Sequence, residues 1–274
     1  MTNENRPIWP NDAVILDAPE PEELEIEKKK YIENPKTKGS GIVACIPQTG
    51  RCPNNCEDCF FQSGRSYLEP LDENLPNIPE NDPYRIVRVN DGNDSNVKKA
   101  EVLEVSRNFT HKFYNTAIPK LDGFDAPVVL SVNPSAMTNT GFNKIDLIPE
   151  NLMFVRIRTN MWNLETVVDP AVEYYTSREV PVVLTFMAYF KGEIPEGHED
   201  SYTYRKRTSN SYYAITTEAW EKIMARYKHN KWVHSCGKVE GELGDTKCKF
   251  CGNCIREYFV TMERTRGNKD EQDK

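Results

Sequence analysis

Five short runs rich in Val and Ile recur between residues 41 and 190: Ile42–Ile46, Ile86–Val89, Val128–Val132, Phe154–Ile157 and Val182–Met187. Each is bounded by turn residues, and runs of this kind read as buried strands. Between the second and third, residues 97–109 place Val97, Ala100 and Leu103 at helical spacing. Residues 164–176 predict another helix, with Pro170 either interrupting it or marking its start. Residues 217–227 predict one more, N-capped by Thr216 or Thr217. Strands alternating with helices imply parallel β/α units, because parallel strands need a crossover between them. About five or six such units are too few for a closed eight-fold barrel, which takes about 250 residues. The expected class is therefore α/β: a partial, open parallel β/α barrel with a small C-terminal cysteine-rich metal-binding appendix. Chemistry in such folds gathers at the C-terminal ends of the strands, so the residues after each run are the ones to weigh.

Eight cysteines fall into two groups. The first follows the first run and reads C-x3-C-x2-C at Cys52, Cys56 and Cys59. Three neighbouring thiolates suit three corners of a [4Fe-4S] cube and leave one iron without a protein ligand. An open coordination position is what lets a bound metal act on a small molecule. The other reading is a zinc knuckle completed by Cys45 or another ligand. Zinc sites favour paired C-x2-C elements, and no second pair lies near Cys52. Cys45, inside an apolar run, reads as a core residue.

On the run RCPNNCEDCFF and the apolar segment before it, the chain resembles the radical S-adenosylmethionine (radical SAM) enzymes. The position before the third cysteine, usually aromatic in that family, is Asp58 here, and Phe60 and Phe61 follow. The resemblance implies a partial β/α barrel, with a [4Fe-4S] cluster and S-adenosyl-L-methionine as cofactors and a flavodoxin- or ferredoxin-type electron donor. It implies that the reduced cluster cleaves the sulfonium to give methionine and a 5′-deoxyadenosyl radical, which takes a hydrogen atom from the substrate.

The second run ends in Asn90-Asp91-Gly92-Asn93-Asp94-Ser95-Asn96. In the resemblance this turn matches a glycine-rich segment, normally Gly-Gly-Glu, that holds the methionine amino group; here a glycine and acids are present in another order. The ordinary alternative is a strand-to-helix turn with Asp94 or Ser95 capping a helix at Val97. The third run ends in Ser131 and Asn133, which alternation places on one face. Small polar groups there suit a ribose or carboxylate, and a turn set by Asn133-Pro134 is the alternative. The fourth run carries Arg156 and Arg158 on one face. Buried guanidinium groups need an anionic partner, such as the S-adenosylmethionine carboxylate or a substrate phosphate. Thr185, Met187 and Tyr189 share a face of the fifth.

The second cysteine group, Cys236, Cys248, Cys251 and Cys254, has four thiols, enough to saturate a second [4Fe-4S] cluster or a zinc ion. Its C-x2-C-x2-C part has ferredoxin-like spacing. His234 is a spare donor or a neighbour of the site. The stretch from Tyr202 to Arg207, with Tyr212 and Tyr213, mixes basic and aromatic residues, as nucleotide- or nucleic-acid-binding surfaces do.

The chain divides into an extended charged arm over residues 1–40, a barrel over 41–230, a cysteine-rich module over 231–262 and a disordered tail over 263–274. A net charge of −7 gives no global attraction to nucleic acid. No apolar run is long enough to span a membrane, and the first residues lack the build of a signal peptide. A cytoplasmic location is expected, and so is metal rather than a disulfide framework. Two other functions fit the same cysteines: a zinc-stabilised module binding nucleic acid or protein, and an iron–sulfur electron carrier or sensor.

Overall fold

The computed structural model describes residues 30–54, Cys56, Cys59, Phe61, residues 66–68, 76–132, 144–206, 211–240 and 245–272. Asn133, Asp58, Phe60, Arg207 and residues 1–29 of the expected arm lie outside the described residues. In chain order the elements are β1 (Ile42–Cys45), β2 (Ile86–Val89), α1 (Lys99–Ser106), β3 (Lys112–Thr116), β4 (Val128–Val132) and β5 (Leu152–Thr159). There follow α2 (Asp169–Thr176), β6 (Val182–Phe186), β7 (Tyr202–Arg205), β8 (Tyr212–Ile215), α3 (Thr217–Arg226) and β9 (Val233–Ser235). The chain ends with β10 (Lys238–Glu240), β11 (Asp245–Lys247) and α4 (Asn253–Gln272).

Seven strands form one sheet in the order β1-β2-β3-β4-β5-β6-β9, and every neighbouring pair is parallel. Spatial order follows chain order throughout. One face carries α1, α2 and α3: Val102, Ala171, Val172, Tyr175, Ala219 and Ile223 pack on Val87, Leu130, Val155, Ile157, Val182 and Leu184. Edge strands β1 and β9 do not pair, so the sheet is an open half-barrel.

The inner face is built differently along its length. Its lower part is apolar: Ile42, Ile86, Phe113, Val129, Phe154 and Val183 form a second cluster with Tyr258 of α4. Arg264 of the same helix donates to the carbonyl of Leu152, at the start of β5. Cys254 near the helix N-terminus packs against the same cluster, so α4 runs down the inner face against the strand direction. A register shift between β4 and β5 at Val128/Val129 sets Met153 and Phe154 together on the inner face. A bulge of this kind re-aims the side chains beyond it. Arg156, level with Ser131 and Val183, and Arg158, level with Thr185, follow inward by alternation.

Several boundaries differ from the sequence expectation. The helix expected from Val97 begins at Lys99, with Lys98 as N-cap at φ 49° and no side-chain cap. Residues 164–168 form a π turn, and the α-helix proper begins at Asp169 with Pro170 in its first turn, so the proline marks a start. Thr216 caps α3, its hydroxyl accepting from the Ala219 amide at 3.2 Å. α4 continues to Gln272, into the stretch expected as a tail. β9, beyond residue 231, completes the sheet beside β6, and residues 31–274 form one unit. No helix among the described residues is long and apolar enough to cross a membrane.

Candidate active site

The loop cysteines stand at the C-terminal end of the strands. Ile46, just beyond β1, pairs with Asn77 by two backbone hydrogen bonds of 2.8 and 2.9 Å, which turns the chain into the cysteine loop. Phe61 leaves the loop for a buried cluster with Ile46 and Leu68. A Cβ on Gly92 would lie 2.1 Å from the Phe61 ring. Glycine at that position thus admits the ring, and the ring ties the cysteine loop to the turn after β2.

That turn is highly bonded. Asp91 pairs with Arg88 at 2.5 Å and accepts from the Asn34 amide at 2.5 Å. Asp94 is buried and accepts from the Thr116 hydroxyl and the Ala117 amide at 2.7 Å, and from the Asn96 amide at 2.9 Å. Asn93 accepts from the Asp94 amide at 2.9 Å. Asn90 holds a left-handed conformation, φ 61°, and donates to the Ser95 hydroxyl at 3.0 Å. Its Oδ1 is buried without a partner. The carboxylates of Asp91 and Asp94, read from sequence as partners for an ammonium group, line the same cavity as the loop cysteines and already accept these bonds from the protein. Asn90 Oδ1 is an acceptor on the turn without a partner.

A cavity of about 120 Å³ is lined by Cys52, Cys56, Cys59, Phe61, the turn from Asn90 to Asp94, Asn115, Ser131, Arg156 and Arg158. Residues far apart in the chain meet there because each lies in the C-terminal half of a parallel strand or in the segment that follows one. A neighbouring cavity of about 180 Å³ shares Phe61, Asp91, Ser131, Arg156 and Arg158, and adds Thr185 and Met187. Its far wall includes Cys236 and Cys248. A third, smaller recess is lined by Cys236, Cys248, Cys251 and Cys254 with Arg88 and Arg156. Arg156 borders all three; it donates to Asn115 Oδ1 at 3.1 Å, and its Nε is buried without a partner.

Among the described residues no three Cys, His, Asp or Glu side chains are already drawn into a metal-ligand set. The donors are nonetheless suitable. Each cysteine group shares one cavity, and soft thiolates suit iron–sulfur clusters and zinc. Burial pushes the Cys52 thiol up to about 11 and Cys248 to about 12. Burial also raises Cys254, to about 11, against the pull of Arg156 and Arg88. His234 is half-buried, and burial and then Arg256 lower its pKa. Cys45 is fully buried in the core.

Thr185 and Met187, which the sequence places on one face of the fifth run, both line the larger cavity. Arg88, Phe61, Asn34 and Asn115 are not marked as site residues by the sequence; of these Arg88 carries a signal, since alternation from Ile86 turns it inward. Tyr202, by contrast, is buried, and its hydroxyl accepts from the Met161 amide at 3.3 Å, while Tyr204 is exposed and stacks on Tyr213 across the β7–β8 hairpin.

No protein-family model matches the chain, and no curated protein matches it. Among solved structures it is similar to a double mutant of spore photoproduct lyase with bound AdoMet and dinucleoside spore photoproduct. The identity is 10%, over 71% of this chain and 81% of that one, with a TM-score of 0.36. The half-barrel is read from the strand topology of this chain itself.

Proposed function

We propose that this chain is a radical SAM enzyme. One observation carries the reading: the three loop cysteines, the turn from Asn90 to Asp94, Ser131 and the β5 arginines line a single cavity at the C-terminal ends of parallel strands. Cys52, Cys56 and Cys59 would hold a [4Fe-4S] cluster with one open iron. Asn90 Oδ1 would accept from the amino group of S-adenosylmethionine, and Arg158 would take its carboxylate by a charge-assisted contact. The cluster and S-adenosylmethionine would supply the chemistry, one-electron cleavage of a sulfonium C–S bond, with the electron from a flavodoxin- or ferredoxin-type donor.

The rest is positioning. Phe61 and Gly92 fix the cysteine loop over the strand ends, and the Asp94 hydrogen bonds hold the turn beneath it. The cavity of about 180 Å³ beside the cofactor site is the proposed substrate site. A space of about 150 Å³ holds benzene, so this one suits a small molecule or a single base turned out of its strand.

The test is anaerobic incubation of the reduced protein with S-adenosylmethionine and cell extract, followed by chromatography for 5′-deoxyadenosine. Product above that of a Cys52→Ala control supports the reading. No excess over that control overturns it.

A further inference from the structure

We propose that Cys236, Cys248, Cys251 and Cys254 bind a tetrathiolate metal centre inside the half-barrel, facing the substrate cavity, with Arg88 and Arg156 as its counter-charges. The proposal does not depend on what the loop cysteines hold.

Placement comes first. Cys236 follows β9, and its amide donates to the Leu184 carbonyl at 2.8 Å, which fixes it against β6. Cys251 precedes α4 and Cys254 lies in its first turn, and the Cys251 amide donates to the Cys248 carbonyl at 3.1 Å. Asn253 Nδ2 reaches back to the Ser235 carbonyl at 2.7 Å and locks that turn to β9. All four thiols open on one recess of the inner face, and Cys236 and Cys248 also wall the larger cavity.

The surroundings are those of an anionic centre. A zinc ion or a [4Fe-4S] cube bound by four thiolates carries a net negative charge. Arg88 is 8% exposed, lines the recess and keeps Nε without a hydrogen-bond partner. Arg156 lines it too, with its own Nε in the same condition. Buried donors left open are costly in a folded protein, and a thiolate–metal centre would satisfy them. The N-terminal end of α4, twenty residues long, adds its positive dipole end.

The experiment uses the full chain with Cys52, Cys56 and Cys59 replaced by Ala, purified anaerobically and assayed for iron, sulfide and zinc. The expected result is about four irons with sulfide, or about one zinc, per chain. On that background Cys254→Ala and Cys236→Ala remove the metal. An Arg156→Gln variant should lose metal to EDTA about tenfold faster, and Arg156→Lys, which keeps the charge, less so. Circular dichroism confirms folding, and Arg88→Gln replaces Arg156→Gln if the latter unfolds. Absence of stoichiometric metal from the triple variant overturns the proposal. So does undiminished metal in Cys254→Ala, or an unchanged stripping rate in the arginine-to-glutamine variant.

Discussion

The Phe61 ring fills the space that a Cβ on Gly92 would need, with Cε1 only 2.1 Å from that position. The cysteine loop and the strand-end turn are therefore locked by one missing methyl group. Gly92 has no positive φ to preserve, so substitution there tests packing alone. Gly92→Ala should displace the ring and cost about 1–3 kcal/mol, the range for overpacking a filled site. Iron bound per chain should fall with it. Adding Phe61→Leu should restore part of the lost stability. Thermal unfolding and iron analysis read both effects, and a Gly92→Ala protein as stable and iron-rich as the parent would refute the contact's role.

Asp94 is a brace for the turn. Two of its three accepted hydrogen bonds, from Thr116 and Ala117, tie the turn after β2 to the end of β3, and the third, from Asn96, closes the turn itself. Asp94→Ala removes three hydrogen bonds accepted by a buried carboxylate, from Thr116, Ala117 and Asn96. The expected loss is about 2–4 kcal/mol, since a hydrogen bond to a charged group contributes about 1.5–3. Urea unfolding measures it. A shift in midpoint below that produced by a surface Asp→Ala change would contradict the assignment.

The Asn90 side chain carries one buried hydrogen bond of the fold and one proposed cofactor contact. Asn90→Gly keeps the left-handed backbone and deletes the amide. On the proposed reading, S-adenosylmethionine affinity should fall about tenfold, the equivalent of one hydrogen bond of about 1.4 kcal/mol, while losing the bond to Ser95 should cost about 0.5–1.5 kcal/mol of stability. Equilibrium dialysis with the reconstituted protein gives the affinity. Unchanged binding would move the amino-group contact elsewhere.

The strand ends were legible because parallel β/α order is written in the hydrophobic runs. Ile86–Val89 and Val128–Val132 form strands at the expected limits. β3 was not legible: Lys112 and Asn115 break the apolar pattern of KFYNT, and each has a buried partner that only the fold supplies. Lys112 reaches the Ser106 carbonyl at 3.0 Å and Asp125 at 2.8 Å. The same limit hid the role of the turn acids. Sequence shows that Asp91 and Asp94 sit beside a glycine, but not that Arg88 and Asn34 bond to the first and Thr116 to the second. The position of the second cysteine group was also hidden, because spacing carries ligand chemistry and says nothing of which face α4 covers.

Asp125 supplies a pH test away from the metal sites. Burial opposes its charge, but Lys112 and Tyr114 outweigh that and hold its pKa below the usual carboxylate value. A depressed folded pKa contributes stability above the unfolded value of about 3.9, lost as pH falls through the folded value. Asp125 is half-exposed while Lys112 is buried, so Asp125→Asn should cost about 1–2 kcal/mol at neutral pH, mainly by stranding the ammonium. The difference between variant and parent should shrink as pH drops below about 4. Urea midpoints at pH 7 and pH 3 give the sign, and an equal difference at both would refute the coupling.

Tyr258 joins the fold to the second cysteine group. It is 3% exposed and packs with Ile42, Phe113 and Phe154 on the inner face. Its hydroxyl meets His111 Nδ1 at 3.3 Å. Cys254 lies one helical turn before it and Ile255 three residues before, so the packing of Tyr258 sets where the thiol points. Tyr258→Phe should cost little, because one long hydrogen bond is lost and the ring stays. Tyr258→Ala should cost about 3–5 kcal/mol, as aromatic truncations in cores do. It should also speed alkylation of Cys254 in the metal-stripped protein. Mass spectrometry of the modified peptide reads that rate against Cys45, which lies in the other core cluster and should not respond. Equal acceleration at both cysteines would mean global unfolding rather than release of the helix from the barrel floor.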